Sequence, residues 1–130
     1  MKNILKFWKS ILWAGIITFL LLLPGDKIPE KKLLDIPNLD KVVHAGLFML
    51  LEFLLLFDAK SLVNSKSISL KLTILTIGYA LLTEGLQYLF TVSRTGDWFD
   101  FFADVTGILI GWVVFLLYSN IITQTSPRNL

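Results

Sequence analysis

The sequence predicts an all-α membrane protein, a bundle of four transmembrane helices with short loops. Three observations predict it. The 130 residues are 55% apolar and only 17% charged, with a mean hydropathy of +0.70. Four apolar stretches occupy most of the chain, so one domain covers residues 1–130 and no soluble domain has room beside it. Spanning about 30 Å of hydrocarbon takes about 20 helical residues, and each stretch reaches or approaches that length. The same arithmetic excludes other classes. A disordered tail needs low hydrophobicity and high charge. A nucleic-acid module needs a basic face, whereas the net charge of +2 comes from twelve basic and ten acidic residues spread along the chain. The absence of cysteine removes disulfide frameworks, Cys-based zinc sites and thiol catalysis.

The first span covers about 8–23. Lys2, Lys6 and Lys9 precede its apolar core as in a signal peptide, but no small-x-small cleavage site follows. Pro24-Gly25-Asp26 reads as a helix stop, and the segment reads as a retained anchor. Residues 24–41 hold three of the four prolines, and their apolar members, Leu33, Leu34, Ile36 and Leu39, suit a membrane interface. The second span covers about 42–57 and contains His44 and Glu52. Read alone it resembles a re-entrant segment; its place between two other spans favours a crossing. Residues 58–69 read as a polar, Ser-rich connector. The third span covers about 70–90, residues 91–99 form a tight polar turn, and the fourth span covers about 101–122. The tail from Thr123 to Leu130 reads as unstructured.

Orientation follows the lysine and arginine count. With four spans, one side carries Lys2, Lys6, Lys9, Lys60, Lys66, Lys71 and Arg128; the other carries Lys27, Lys31, Lys32, Lys41 and Arg94. The bias of seven to five, led by the first helix, places both termini in the cytoplasm of a bacterial inner membrane.

An ionisable side chain at the centre of a spanning helix costs about 2.5–3.5 kcal/mol on insertion scales. His44, Glu52, Glu84 and Asp104 therefore ask for a reason, with Gln87 as a neutral companion and Arg94, Asp97 and Asp100 at the adjoining boundary. His44 opens the second span, Glu84 and Gln87 lie late in the third, and Asp100 and Asp104 open the fourth. Glu84 stands about 9 Å below Phe90, and Asp104 is at a similar depth below Trp98. Polar groups of three helices thus converge at one membrane face, extracytoplasmic in this topology. Asp97, Asp100, Asp104, Gly107 and Gly111 form one stripe. Its lower part, Gly107-x-x-x-Gly111, lets a neighbouring helix approach closely.

Two readings of this set stand side by side. In one, it is interhelical glue: Arg94 neutralises an acid, Gln87 hydrogen-bonds another, and Glu52 reaches toward Lys60. In the other, it is a ligand pocket of His44, Glu84, Gln87, Arg94, Asp97, Asp100 and Asp104. Such a pocket suits a polar head group, a divalent cation with oxygen ligands, or acid–base work with His44 titrating near neutrality. The sequence shows no nucleophile triad, P-loop or zinc motif, so no metal is assigned and no cofactor is expected.

The pattern resembles the VanZ-like family of small bacterial membrane proteins. The residues that carry the resemblance are Asp40-Lys41-x-x-His44 with Phe48, then Glu84-x-x-Gln87, then Arg94, Asp100, Asp104, Gly107 and Gly111. Ala45 stands where the family often has an aromatic residue, and Asp104 where it usually has asparagine. The resemblance implies a multi-pass inner-membrane protein, and its namesake role is resistance to the lipoglycopeptide teicoplanin. The function expected is modulation of the cell envelope, with a membrane lipid or lipid-linked cell-wall precursor as partner and no nucleic acid. The alternatives are a structural or assembly membrane protein and a membrane-embedded lipid head-group enzyme.

Overall fold

The computed structural model describes residues 4–23, 38–61, 66–90 and 98–125. A 3-10 turn, Ile4–Phe7, leads into four α-helices: α1, Trp8–Leu22; α2, Leu39–Asp58; α3, Lys66–Phe90; and α4, Trp98–Thr125. The all-helical expectation holds across the described residues. α3 and α4 are long and apolar enough to cross a membrane, α4 over Trp98–Thr123. α1 has 15 residues, about 22 Å of helix. α2 has 20 residues, but Asp40, Lys41, Glu52 and Asp58 leave every 18-residue window of it with at least three charges. Length and composition alone therefore support two of the four expected spans.

The helices run past the apolar stretches that announce them. α2 begins at Leu39, after Asn38 takes a left-handed conformation with φ 64°, which asparagine tolerates better than most residues. Lys66 to Ser69, expected in a connector, form the first turn of α3. Trp98 and Phe99, expected in the polar turn, open α4 ahead of Asp100, whose charge suits a helix N-terminus. The tail expected from Thr123 is helical through Thr125. Backbone hydrogen bonds carry a helix into polar sequence, so hydropathy undercounts its length. The Pro24-Gly25-Asp26 stop lies outside the described residues.

α2 and α4 form the most extensive contact in the bundle, and two glycines explain it. A Cβ on Gly107 would collide with the Ala45 carbonyl and lie 2.8 Å from its carbon. A Cβ on Gly111 would collide with the Met49 carbonyl and stand 3.1 Å from Glu52 Cβ. The small-residue seam expected from Gly107-x-x-x-Gly111 is thus the line along which α4 meets α2 backbone to backbone. α1 is held differently, by polar ties at its ends and middle. At its first turn the Ser10 N–H donates to Asp58 Oδ2 at 3.1 Å. That N–H has no partner inside its own helix, so the carboxylate satisfies it and complements the dipole. Farther along, Trp13 Nε1 donates to the Leu47 carbonyl at 3.0 Å, and the Tyr79 hydroxyl donates to the Ala14 carbonyl at 2.7 Å.

Burial runs opposite to that of a water-soluble domain. The interior holds Ser10, His44, Glu52, Ser69, Thr73, Thr76, Thr83, Glu84, Gln87 and Asp104 beside an apolar core of Ile17, Leu21, Phe48, Leu51, Ala80 and Ile108. Every helix turns large apolar side chains outward: Phe19 is 66% exposed, Val42 66%, Leu75 63% and Leu117 58%. Exposed apolar surface of this extent marks an interaction with something other than water.

Candidate functional site

The polar residues of three helices meet where α2 begins, α3 ends and α4 begins. His44 lies in the second turn of α2, after Asp40 and Lys41. From there its side chain points into the bundle, because Phe48, one turn on, is buried on the same face. Asp104 sits one turn above Ile108 on α4, again on the buried face. Phe48 and Ile108, both fully buried, make an apolar floor beneath the polar groups.

On that floor His44 Nδ1 lies 3.0 Å from Asp104 Oδ1 and 3.8 Å from Glu84 Oε1. The histidine and aspartate side chains are almost wholly shielded, at 5% and 0% exposure. Asp104 Oδ2 is buried and has no hydrogen-bond partner among the described residues. An unmade hydrogen bond on a buried polar atom costs about 1–3 kcal/mol, more on a charged group. His44, Glu84 and Asp104 each offer one ligand atom, and the three atoms lie within 4.8 Å of one another. Two carboxylates and an imidazole at this spacing can share a proton, hold a cation, or grip the polar end of a ligand.

The rim is built by Lys41 and Asp100. Lys41 Nζ donates to Asp100 Oδ1 at 3.1 Å and to Asp40 Oδ2 at 3.2 Å. The Asp100 carboxylate beside it holds the ammonium above the ordinary lysine range. Lys41 was not among the pocket residues expected from the sequence. Its spacing three residues before His44, on one face of α2, is the signal that points to it. Gln87 gives one of its Nε2 hydrogens to the Leu21 carbonyl at 2.8 Å. Leu21 lies in the last turn of α1, where carbonyls lack intrahelical donors, so Gln87 seals that helix end. Arg94 and Asp97 lie outside the described residues.

Glu52 belongs to a second, separate polar set. It is fully buried and does not reach Lys60, as the sequence had suggested. Thr73 Oγ1 donates to Glu52 Oε1 at 2.7 Å, and Thr76 Oγ1 to Oε2 at 2.6 Å. Lys60 instead stands over the Phe57 ring, 4.4 Å from its centroid. The side chain of Glu52 faces α3 because Thr73 and Thr76, three apart, present both hydroxyls on one helix face. A cavity of about 520 Å³ opens along the same half of α2, lined by Ile11, Ala14, Leu51, Leu55, Leu72 and Leu75 among others. Its wall is mostly apolar, with Ser10, Thr76 and Tyr79 among the lining residues.

The sequence profile of the family described as VanZ/LLP1 matches residues 2–119, nearly the whole chain. Comparison with curated proteins and with solved structures finds no match.

Proposed function

The chain belongs to the VanZ/LLP1 family, and from that premise we propose that it is a multi-pass membrane protein that modulates the cell envelope. All four helices cross the bacterial inner membrane, with both termini in the cytoplasm. The outward apolar faces of α1 and α2 support their crossing alongside α3 and α4, because a charged residue is tolerated in a span when it points into the bundle. In this topology the His44–Glu84–Asp104 cluster opens on the extracytoplasmic side and engages the polar head group of a lipid or a lipid-linked cell-wall precursor. Resistance to lipoglycopeptides would be one consequence.

One observation carries this reading: three shielded polar side chains from three helices converge above an apolar floor while Asp104 Oδ2 lacks a partner. A set evolved as interhelical glue would be expected to satisfy its own atoms. Topology is tested with single cysteines replacing Trp98, at the cluster end, and Lys60, at the other, in a chain that has no cysteine of its own. A membrane-impermeant thiol reagent on intact cells is expected to label position 98 and spare position 60; the reverse pattern ends the envelope-facing reading. Function is tested by drug susceptibility of cells carrying the chain or His44→Ala or Glu84→Gln variants at matched membrane accumulation. The variants are expected to lose the effect on teicoplanin susceptibility that the chain confers. Variants that match the unaltered chain, or a chain with no effect, count against the reading.

A further inference from the structure

We propose that His44, Glu84 and Asp104 form a binding site for a divalent transition-metal ion, with zinc the ion the ligand set suits best. This goes beyond the head-group reading and rests on the geometry of the three side chains alone.

The distances fit first. Ligands about 2.1 Å from a tetrahedral ion stand about 3.4 Å apart. His44 Nδ1 lies 3.0 Å from Asp104 Oδ1 and 3.8 Å from Glu84 Oε1, on either side of that value. All three ligand atoms fall within 4.8 Å. Small rotations of the two carboxylates would close the set around one ion.

The second argument is independent of the first. Asp104 Oδ2, the oxygen that does not bond His44, is buried in a side chain with 0% exposure and has no hydrogen-bond partner among the described residues; a carboxylate holding the ion through both oxygens would satisfy it. Its carboxylate is directed at His44. Nor can one Nδ1–H serve both carboxylates well, since a linear hydrogen bond to one turns it from the other. With Nδ1 bound to a metal, its lone pair faces the ion and the ring proton sits on Nε2. Three protein ligands leave a fourth position for water or an oxygen of a bound group, the arrangement that catalytic zinc sites share with open binding sites. One nitrogen with two oxygens selects zinc or a neighbouring transition metal over calcium or magnesium, which prefer oxygen alone.

The test uses the full chain, purified in detergent, stripped with a chelator and titrated calorimetrically with ZnCl2 and, separately, MnCl2. We expect about one equivalent of zinc to bind, and the thermal midpoint to rise on binding. Asp104→Asn keeps the shape and an acceptor for His44 but removes a charge; it should weaken zinc binding about tenfold or more. His44→Ala should do the same, while Asp58→Asn, at the far end of α2, should not. Elution as a single species checks each variant. Cobalt(II) added to the unaltered chain needs no variant at all: the intense visible bands of a four-coordinate ion are expected. No binding of either ion, binding untouched by Asp104→Asn and His44→Ala, or a cobalt spectrum matching the aqueous ion would each overturn the proposal. Binding of vesicles containing anionic phospholipid, measured in chelator, reports on the head-group reading separately.

Discussion

Glu52 and Asp104 are both fully buried carboxyl groups, yet their surroundings differ. Each oxygen of Glu52 receives a threonine hydroxyl at 2.6–2.7 Å. Asp104 has one oxygen 3.0 Å from His44 and the other with no partner. Equal burial with unequal hydrogen bonding is what distinguishes the two groups. The Glu52 set is complete as it stands and needs only α2 and α3. The Asp104 set draws on α2, α3 and α4 and leaves one buried oxygen of Asp104 without a hydrogen bond among the described residues.

The largest effect should come from breaking the seam on which both regions depend. Gly107→Leu drives a side chain into the Ala45 backbone, which no rotamer relieves. We expect a loss of about 3 kcal/mol or more in thermal or denaturant unfolding, with little protein accumulating in the membrane. A stable, folded Gly107→Leu protein would mean that α2 and α4 do not meet as described.

Next in size is the removal of both donors from Glu52. Thr73→Val with Thr76→Val leaves a buried carboxyl group without hydrogen bonds. It should cost about 2–4 kcal/mol by the same measurement. Glu52→Met sharpens the point, since the two hydroxyls keep the Ser69 and Leu72 carbonyls as acceptors. That variant should fall within about 1 kcal/mol of the unaltered chain, as a removed buried polar group often does. A larger loss in Glu52→Met than in the double threonine variant would mean that the Glu52 carboxyl group stabilises the bundle through more than these two hydrogen bonds.

Asp104→Asn should behave the opposite way to the threonine pair. Stability should change by no more than about 1 kcal/mol in either direction, because the lost charge had an unpartnered oxygen. The effect on drug susceptibility should disappear. If stability collapses and activity per folded molecule persists, Asp104 is structural and the comparison fails.

Lys41→Met should give the smallest change, about 0.5–1 kcal/mol, since an ion pair at a rim is weak. Asp100 raises the lysine above its ordinary value of 10.5. A raised folded-state value means the contribution is fully present below pH 10.5 and lost only as the pH climbs beyond it. Stability of the unaltered chain relative to Lys41→Met should therefore be level between about pH 6 and about pH 9, below that titration.

Much of this site was legible before any fold was known. His44, Glu84 and Asp104 stood out because each is costly in apolar sequence, and helical rise placed them at one end. Asp100, Asp104, Gly107 and Gly111 fell on one stripe by spacing alone, and that stripe faces α2. Spacing could not say which acid the histidine would meet. Nor could spacing show that Gln87 gives a hydrogen to a carbonyl of α1, because only packing brings the donor-less C-terminal carbonyls of that helix within reach. Glu52 turned to hydroxyls on α3, a pairing invisible along the chain since 21 and 24 residues separate the partners.

The sequence by itself determined the four helices and the polar residues they would have to hide. Apolar run length and the cost of a charge in hydrocarbon are local properties, read one segment at a time. Only the tertiary structure decided that Glu52 is satisfied while Asp104 keeps an oxygen without a partner. Whether a buried atom finds a partner depends on which helix faces it and at what distance, and the two glycines set that distance where α4 meets α2.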